Sequence, residues 1–174
     1  LEMHQWAIDG VGVVVHPDNA VRSLSFDQLK DIYAGKRVNW KAFGGPDKSI
    51  NIYTRDAASG TRSVFWKKAL GKGDISAEAL FAASNGAMKT AVAQDPYAIG
   101  YLSVGHIDVS VAAVALDGVA PTLENVKAGT YKVARGLYSN TRGEAKGLAK
   151  KFLDYLHSPE GREIVVAKGF IPVD

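Results

Sequence analysis

One stretch indicates both the fold and the site, namely Asn51-Ile-Tyr-Thr-Arg55-Asp-Ala-Ala-Ser59-Gly60-Thr61-Arg62-Ser-Val-Phe65-Trp66. Its pattern predicts a short β-strand over 50–54, an arginine at the strand's end, a turn of small residues and a helix that begins at Ser59. The first N–H groups of a helix have no partner within the helix and carry a partial positive charge. This order of elements is therefore typical of a site for a small anion.

Four residues of the stretch are candidate ligands for an oxyanion. Arg55 could hold two oxygens with its forked guanidinium group. The hydroxyls of Ser59 and Thr61 can rotate to donate hydrogen bonds, and Gly60 lets a ligand approach the backbone closely. Ser-Gly-Thr before an apolar helix is also an ordinary N-cap, so the local sequence leaves both interpretations open.

The composition is that of a soluble globular protein, with 174 residues of which 47% are hydrophobic and 22% charged. The net charge of +3 comes from scattered basic residues, which favours an anionic ligand weakly and gives no support for nucleic-acid binding. The absence of cysteine excludes disulfides, zinc–thiolate sites and thiol catalysis, and it fits an extracytoplasmic protein. The apolar runs are shorter than the roughly 20 residues of a membrane span.

The chain opens on Leu1-Glu-Met-His-Gln-Trp6, which has neither the basic start nor the apolar region of a signal peptide. We therefore expect a fragment or a processed chain.

Strand patterns and helix patterns alternate along the sequence. A β-branched run over 7–16 predicts a buried strand, and Ser25 with Gln28 matches a capping box that opens a helix ending at Gly35. Further strands are expected over 98–103, 111–116 and 135–139, and further helices from 84, 122, 144 and 158. The helix over 144–157 is expected to turn Leu148, Phe152, Tyr155 and Leu156 inward. The alternation predicts the α/β class with mainly parallel sheets.

Several segments, in this order, resemble the periplasmic phosphate-binding proteins of bacterial ABC phosphate transporters. The resemblance covers essentially the whole chain and depends on the order and spacing of the segments. They are Asp9-Gly10-Val-Gly-Val-Val-Val-His-Pro17, Leu24-Ser-Phe-Asp-Gln-Leu-Lys-Asp-Ile-Tyr-Ala-Gly35, Asn39-Trp40-Lys41, Gly44-Gly45-Pro46-Asp47, Arg55 with Ser59-Gly60-Thr61-Arg62, Ala98-Ile-Gly-Tyr-Leu102, Ser158-Pro-Glu-Gly161 and Gly169-Phe-Ile-Pro172.

The resemblance implies a two-lobed, type II periplasmic-binding-protein-like fold that holds phosphate between its lobes. Residues 1–16 and 105–174 would belong to lobe 1 and residues 17–104 to lobe 2. The family's phosphate contacts would fall on Arg55, Ser59, Gly60 and Thr61. The lobes would close by bending near Gly10–Gly12 and Ser103–Gly105.

The sequence departs from the family at its start. Family members carry a further N-terminal segment, which completes the first lobe and supplies the other phosphate contacts, including a buried aspartate. Without that segment we expect an incomplete first lobe with an exposed apolar face. Such a face would be covered by self-association or by a separate N-terminal fragment.

An enzyme is the first competing interpretation. A Gly-x-Ser-x-Gly elbow is absent, because Ala57 stands where its first glycine would be, and no nucleotide-phosphate loop is present. The four histidines are far apart and lack metal-ligand spacing. We therefore expect no enzymatic activity, no cofactor and no metal.

Two further interpretations keep the fold. Sulfate, molybdate and tungstate receptors share the two-lobed design, and a buried carboxylate would distinguish protonated phosphate from sulfate. A signalling or adhesion module could instead use Trp6, Trp40 and Trp66 as surface anchors, although core positions are commoner for tryptophan. The start of the helix at Asn85-Gly86 is a second candidate for a ligand-facing terminus, or simply a cap. The expected function is capture of inorganic phosphate outside the cytoplasmic membrane and its delivery to an ABC permease.

Overall fold

A computed structural model describes all 174 residues. They form eight strands and six α-helices, which are joined by loops and turns. In chain order the elements are β1 (Glu2–Val15), β2 (Ser23–Leu24), α1 (Phe26–Tyr33), β3 (Asn51–Thr54), α2 (Gly60–Lys68), β4 (Leu80–Phe81), α3 (Asn85–Gln94), β5 (Ala98–Ser103), β6 (Ala112–Leu116), α4 (Leu123–Lys127), β7 (Ala134–Thr141), α5 (Gly147–His157), α6 (Pro159–Ala167) and β8 (Ile171–Pro172). None of these helices has the length and apolar character needed to cross a membrane.

The long strand β1 connects two groups of strands. Its first half pairs with β7 and β8, while its second half pairs with β5 on one side and β6 on the other. The valines at 13, 14 and 15 are completely buried, because this part of the strand is covered on both faces. This explains why the sequence there is a continuous apolar run rather than an alternating one.

The α/β class and the two-lobed type are confirmed, but the sheet is mixed rather than mainly parallel. The central path of the sheet is β2-β6-β1-β5-β3-β4. The pairs β3–β5, β3–β4 and β2–β6 are parallel, whereas β1 is antiparallel to all four of its partners. The sheet is mixed because β1, which has the most partners, runs antiparallel to each of them.

The lobe boundaries at residues 16 and 105 stay a prediction. Strands β5 and β6 pair with opposite sides of the second half of β1, although the prediction places β6 in lobe 1 and β5 in lobe 2. The hydroxyl of Tyr131 donates to the carbonyl of Val11, and the N–H of Val11 donates to the carbonyl of Val133. Because residues up to 133 pack on the second half of β1, we propose that the return crossing lies near Ala134.

Local signals for the helices match the structure. Ser25 and Gln28 form the predicted capping box of α1, and Gly35 has a φ of 73° after the end of that helix. Trp40 is fully buried and donates from its indole nitrogen to the carbonyl of Tyr97 at 2.8 Å, so it belongs to the core. These caps and anchors fix the framework around β3 and α2.

The predicted inward face of α5 is wrong. Leu148, Phe152 and Tyr155 are 83%, 54% and 42% exposed, whereas Leu153 is buried. Leu156 is half-buried. The helical period identified an apolar face correctly, but no other helix or strand of this chain covers it. Tyr155 and the exposed Ile164 of α6 line an apolar cavity of about 180 Å³, which extends this face.

Candidate functional site

The N-terminus of α2 presents hydrogen-bond donors that the protein does not use. The hydroxyl of Ser59 accepts a hydrogen bond from the N–H of Arg62 at 3.1 Å, so Ser59 caps the helix. The N–H groups of Gly60 and Thr61 have no acceptor within the protein, and the hydroxyl of Thr61 makes no hydrogen bond. The cap interpretation therefore holds, and because the cap leaves the first donors free, the anion site stays a prediction.

Arg55 is held by its backbone and leaves its charge without a partner. Its N–H donates to the hydroxyl of Tyr101 at 3.1 Å, and its carbonyl accepts from the Nη1 of Arg62 at 2.6 Å. No carboxylate lies within 4.0 Å of its guanidinium, and its buried Nε has no hydrogen-bond partner. The structure thus places an unneutralised cation on the residue that leads from β3 towards α2.

Tyr101 connects the core to this site. Its ring stacks on Phe65 of α2 with the ring centroids 3.9 Å apart, and its hydroxyl lies 2.8 Å from the Oγ1 of Thr54. Burial raises the pKa of Tyr101 above its ordinary value, so the phenol keeps its proton. No local pattern indicates this role, because Tyr101 lies within a buried strand and resembles any other core aromatic residue.

Arg135 of β7 reaches the same helix end from the other group of strands. A Cβ atom on Gly60 would lie 2.7 Å from the Nη1 of Arg135 and 3.1 Å from its Nη2. The Nη2 of Arg135 lies 3.5 Å from Oδ2 of Asp9, and the hydroxyl of Ser103 donates to Oδ1 of Asp9 at 2.8 Å. These three residues come from β1, β5 and β7, and no short-range motif could have brought them together.

Asp9 is a buried carboxylate with both oxygens engaged. It is 2% exposed, and its burial raises its pKa, while Ser103 and Arg135 partly oppose that rise. Asp9 is thus the counter-charge that fixes Arg135 beside α2.

The second candidate terminus, at the start of α3, has structural roles. The hydroxyl of Ser84 accepts from the N–H of Ala87 at 3.0 Å, and Oδ1 of Asn85 accepts from the N–H of Ser103 at 3.2 Å. Gly86 is exposed. Ser84 therefore caps this helix, and Asn85 connects it to β5.

Comparison with known proteins agrees with this architecture. The protein-family model described as PBP superfamily domain matches residues 3–160. The chain is 44% identical over 172 residues to the phosphate-binding protein PstS of Bacillus subtilis strain 168 and covers 98% of its own length in that match. The chain therefore belongs to the PBP superfamily and, within it, to the family of phosphate-binding proteins of bacterial ABC transporters.

Two solved structures share the fold. The crystal structure of a putative phosphate ABC transporter substrate-binding protein from Clostridium perfringens, with bound phosphate, is 35% identical with a TM-score of 0.88. An ABC-type phosphate transport receptor from Vibrio cholerae is 34% identical with a TM-score of 0.85. The matches cover 99% and 98% of this chain and 72% of each solved chain. This chain spans 57% of the Bacillus subtilis relative.

Proposed function

We propose that this protein binds inorganic phosphate between two lobes, outside the cytoplasmic membrane, and delivers it to an ABC permease. Arg55, Ser59, Gly60 and Thr61 are its phosphate ligands in lobe 2. The protein acts by binding and release rather than as an enzyme. The names of its relatives, a phosphate-binding protein and a phosphate transport receptor, support this role.

The observation that carries the proposal is the set of unused donors at the start of α2. The N–H groups of Gly60 and Thr61 have no acceptor in the protein, and the guanidinium of Arg55 has no carboxylate partner. Gly60 is exposed, but Thr61 is buried and Arg55 is half-buried. Because buried polar groups normally find partners within a protein, these unpaired donors and the unpaired charge at a positive helix end favour an anionic ligand.

Each group would have a separate task in binding. Arg55 would supply charge and two parallel hydrogen bonds, and the backbone N–H groups would bind one oxygen without any cost in side-chain entropy. The hydroxyl of Thr61 would add a donor that turns to meet the ligand, while that of Ser59 can donate to the ligand as it accepts from Arg62. Together these groups form one side of a binding site.

The four ligands favour an oxyanion without setting its protonation state. Backbone N–H groups and guanidinium groups can only donate, so they cannot accept the proton that distinguishes hydrogen phosphate from sulfate. Asp9, the buried carboxylate of this chain, is already engaged by Ser103 and Arg135. Selectivity for phosphate would therefore come from an acceptor outside these residues, as the family resemblance implies.

Calorimetric titration of the full chain with phosphate, and with sulfate as the competing anion, tests the proposal. We expect phosphate binding that Arg55→Ala weakens by roughly 10- to 100-fold, because a hydrogen-bonded charge is lost. Arg37→Ala is a matched control, since Arg37 is not a proposed ligand and its Nε lies 3.4 Å from Oδ2 of Asp31. Equal affinity of the parent and Arg55→Ala for phosphate would contradict the site, and the absence of phosphate binding by the parent would contradict the substrate.

A further inference from the structure

Arg135, which lies on β7, extends its side chain to Gly60 at the proposed anion site. Its guanidinium fills the space into which a side chain at Gly60 would project, with Nη1, Nη2 and Cζ all within 3.3 Å of the Cβ position. Such approaches leave no room for a methyl group unless the arginine moves. The terminal nitrogens of Arg135 therefore lie against the residue whose free N–H belongs to the anion site.

This contact also explains why a glycine stands at position 60. The φ of Gly60 does not lie in the left-handed region, so no backbone requirement selects glycine there. A glycine within a helix is otherwise disfavoured relative to alanine. The close approach of Arg135 is therefore a second physical reason for Gly60, beside the approach of a ligand to its backbone.

Arg135 is held in this place by a buried carboxylate. Oδ2 of Asp9 lies 3.5 Å from its Nη2, and Asp9 is itself fixed by the hydroxyl of Ser103. Asp9 is 2% exposed, so its carboxylate is enclosed by the protein beside Arg135. The position of the guanidinium beside α2 is therefore set by three strands rather than by a mobile surface side chain.

The charges at this helix end do not balance within the protein. Arg55 and Arg135 both lie beside α2, whose N-terminus is itself positive. Asp9 is the carboxylate paired with Arg135, and Oδ1 of the exposed Asp56 accepts the N–H of Ala58. The Nε atoms of both arginines are buried without a hydrogen-bond partner. An anion bound at Gly60 would relieve this repulsion.

We propose that Arg135 is a second cationic residue of the anion site, positioned by Asp9, and that it binds the oxyanion from the side of β7. This inference rests on the proposed function. It adds a ligand from the strand that pairs with the first half of β1, so that the oxyanion would be held by both groups of strands.

Titration of phosphate into the full chain carrying Arg135→Gln or Arg135→Lys tests the inference. We expect Arg135→Gln to lower phosphate affinity by roughly 10- to 100-fold, since a charged hydrogen bond is lost. Arg135→Lys keeps the charge without the fork and should lose less. The dependence of affinity on salt should become shallower in Arg135→Gln, a change that a purely structural role would not produce. Arg37→Gln is the control for removal of a remote charge.

A double-mutant cycle separates the contact from general damage to the helix. Gly60→Ala keeps the backbone N–H but displaces Arg135, so we expect it to weaken phosphate binding in the parent. In an Arg135→Ala background the same change has no guanidinium to displace and should cost less affinity than it does in the parent. Additive losses would overturn the inference. Circular dichroism and thermal unfolding establish that each variant is folded.

The outcomes distinguish this inference from the proposed function. If the parent binds phosphate, Arg55→Ala loses binding, and folded Arg135→Gln binds within about twofold of the parent, the inference is overturned and the function stands. If the parent binds neither phosphate nor sulfate, both are overturned.

Discussion

The phenolic oxygen of Tyr101 lies 3.1 Å from the backbone nitrogen of Arg55, and the same oxygen lies 2.8 Å from Oγ1 of Thr54. A side chain of the core strand β5 thereby fixes the end of β3. Since Thr54 and Tyr101 are buried, this link is shielded from water. The direction in which Arg55 leaves the strand is therefore set by the core.

We expect Tyr101→Phe to lower the free energy of unfolding by about 1–3 kcal/mol. The change leaves the N–H of Arg55 without a partner and leaves the hydroxyl of Thr54 only its long contact of 3.5 Å to the carbonyl of Arg55, while it preserves the ring stacking on Phe65. Urea denaturation measures the loss. Tyr155→Phe is the matched control, because Tyr155 is 42% exposed and should be neutral within about 0.5 kcal/mol. Equal stability of the two variants would contradict the role of Tyr101.

Two helix caps allow stability to be separated from binding. Ser59→Ala and Ser84→Ala each remove a hydroxyl that caps a helix, so each should cost about 1 kcal/mol of stability. Only Ser59→Ala should also weaken phosphate binding, because Ser84 caps α3 rather than α2. Denaturation and titration of the same samples provide the comparison. A similar loss of affinity in both variants would count against Ser59 as a ligand.

Asp9 should make stability fall as pH rises. Its pKa in the folded protein is raised above the ordinary value of 3.8 by burial, so proton binding favours the native state. This contribution is fully present below 3.8 and is lost as pH rises through the raised pKa. The free energy of unfolding of Asp9→Asn, relative to the parent, should therefore increase with pH over that interval. Urea denaturation across a pH series measures it.

Asp108 supplies a control of opposite sign. Its hydrogen bonds from Lys89 and Ser110 lower its pKa, so its contribution is present above 3.8 and is lost as pH falls. Relative to the parent, Asp108→Asn should therefore lose stability as pH rises. If Asp9→Asn and Asp108→Asn followed the same trend, the raised pKa of Asp9 would be contradicted.

The exposed face of α5 predicts self-association of the 174-residue chain. Leu148, Phe152 and Tyr155 follow helical spacing and share one exposed apolar face, and burial of such a face between copies removes it from water. Sedimentation velocity should show dimers or larger species that the double variant Leu148→Lys, Phe152→Lys converts to monomers. Val109→Lys, at a 98% exposed site between β5 and β6, should leave the distribution unchanged. A compact monomeric parent would refute the prediction.

Signals confined to a few neighbouring residues were sufficient to predict much of the framework. The capping box at Ser25 and the cap at Ser59 depend on contacts three residues apart, so the sequence displays them directly. The ion pair of Asp9 with Arg135 depends on how β1 and β7 align, and no local pattern encodes that register. The prediction of an inward face for α5 was wrong for a related reason. Periodicity identifies an apolar face, but it does not show what covers that face.

The pairing of β1 has a consequence for how the chain acquires its structure. Glu2 pairs with Thr141 and Ile8 with Ile171, and His4 bonds to a residue 137 positions away. Closing such long loops costs chain entropy before the stabilising contacts form, so proteins with many contacts between distant residues fold slowly. Within this chain, the partners of the first half of β1 lie in residues 134–172, which are synthesised more than a hundred residues after it. Pairing of this half of the strand with β7 and β8 therefore belongs to the last stage of synthesis.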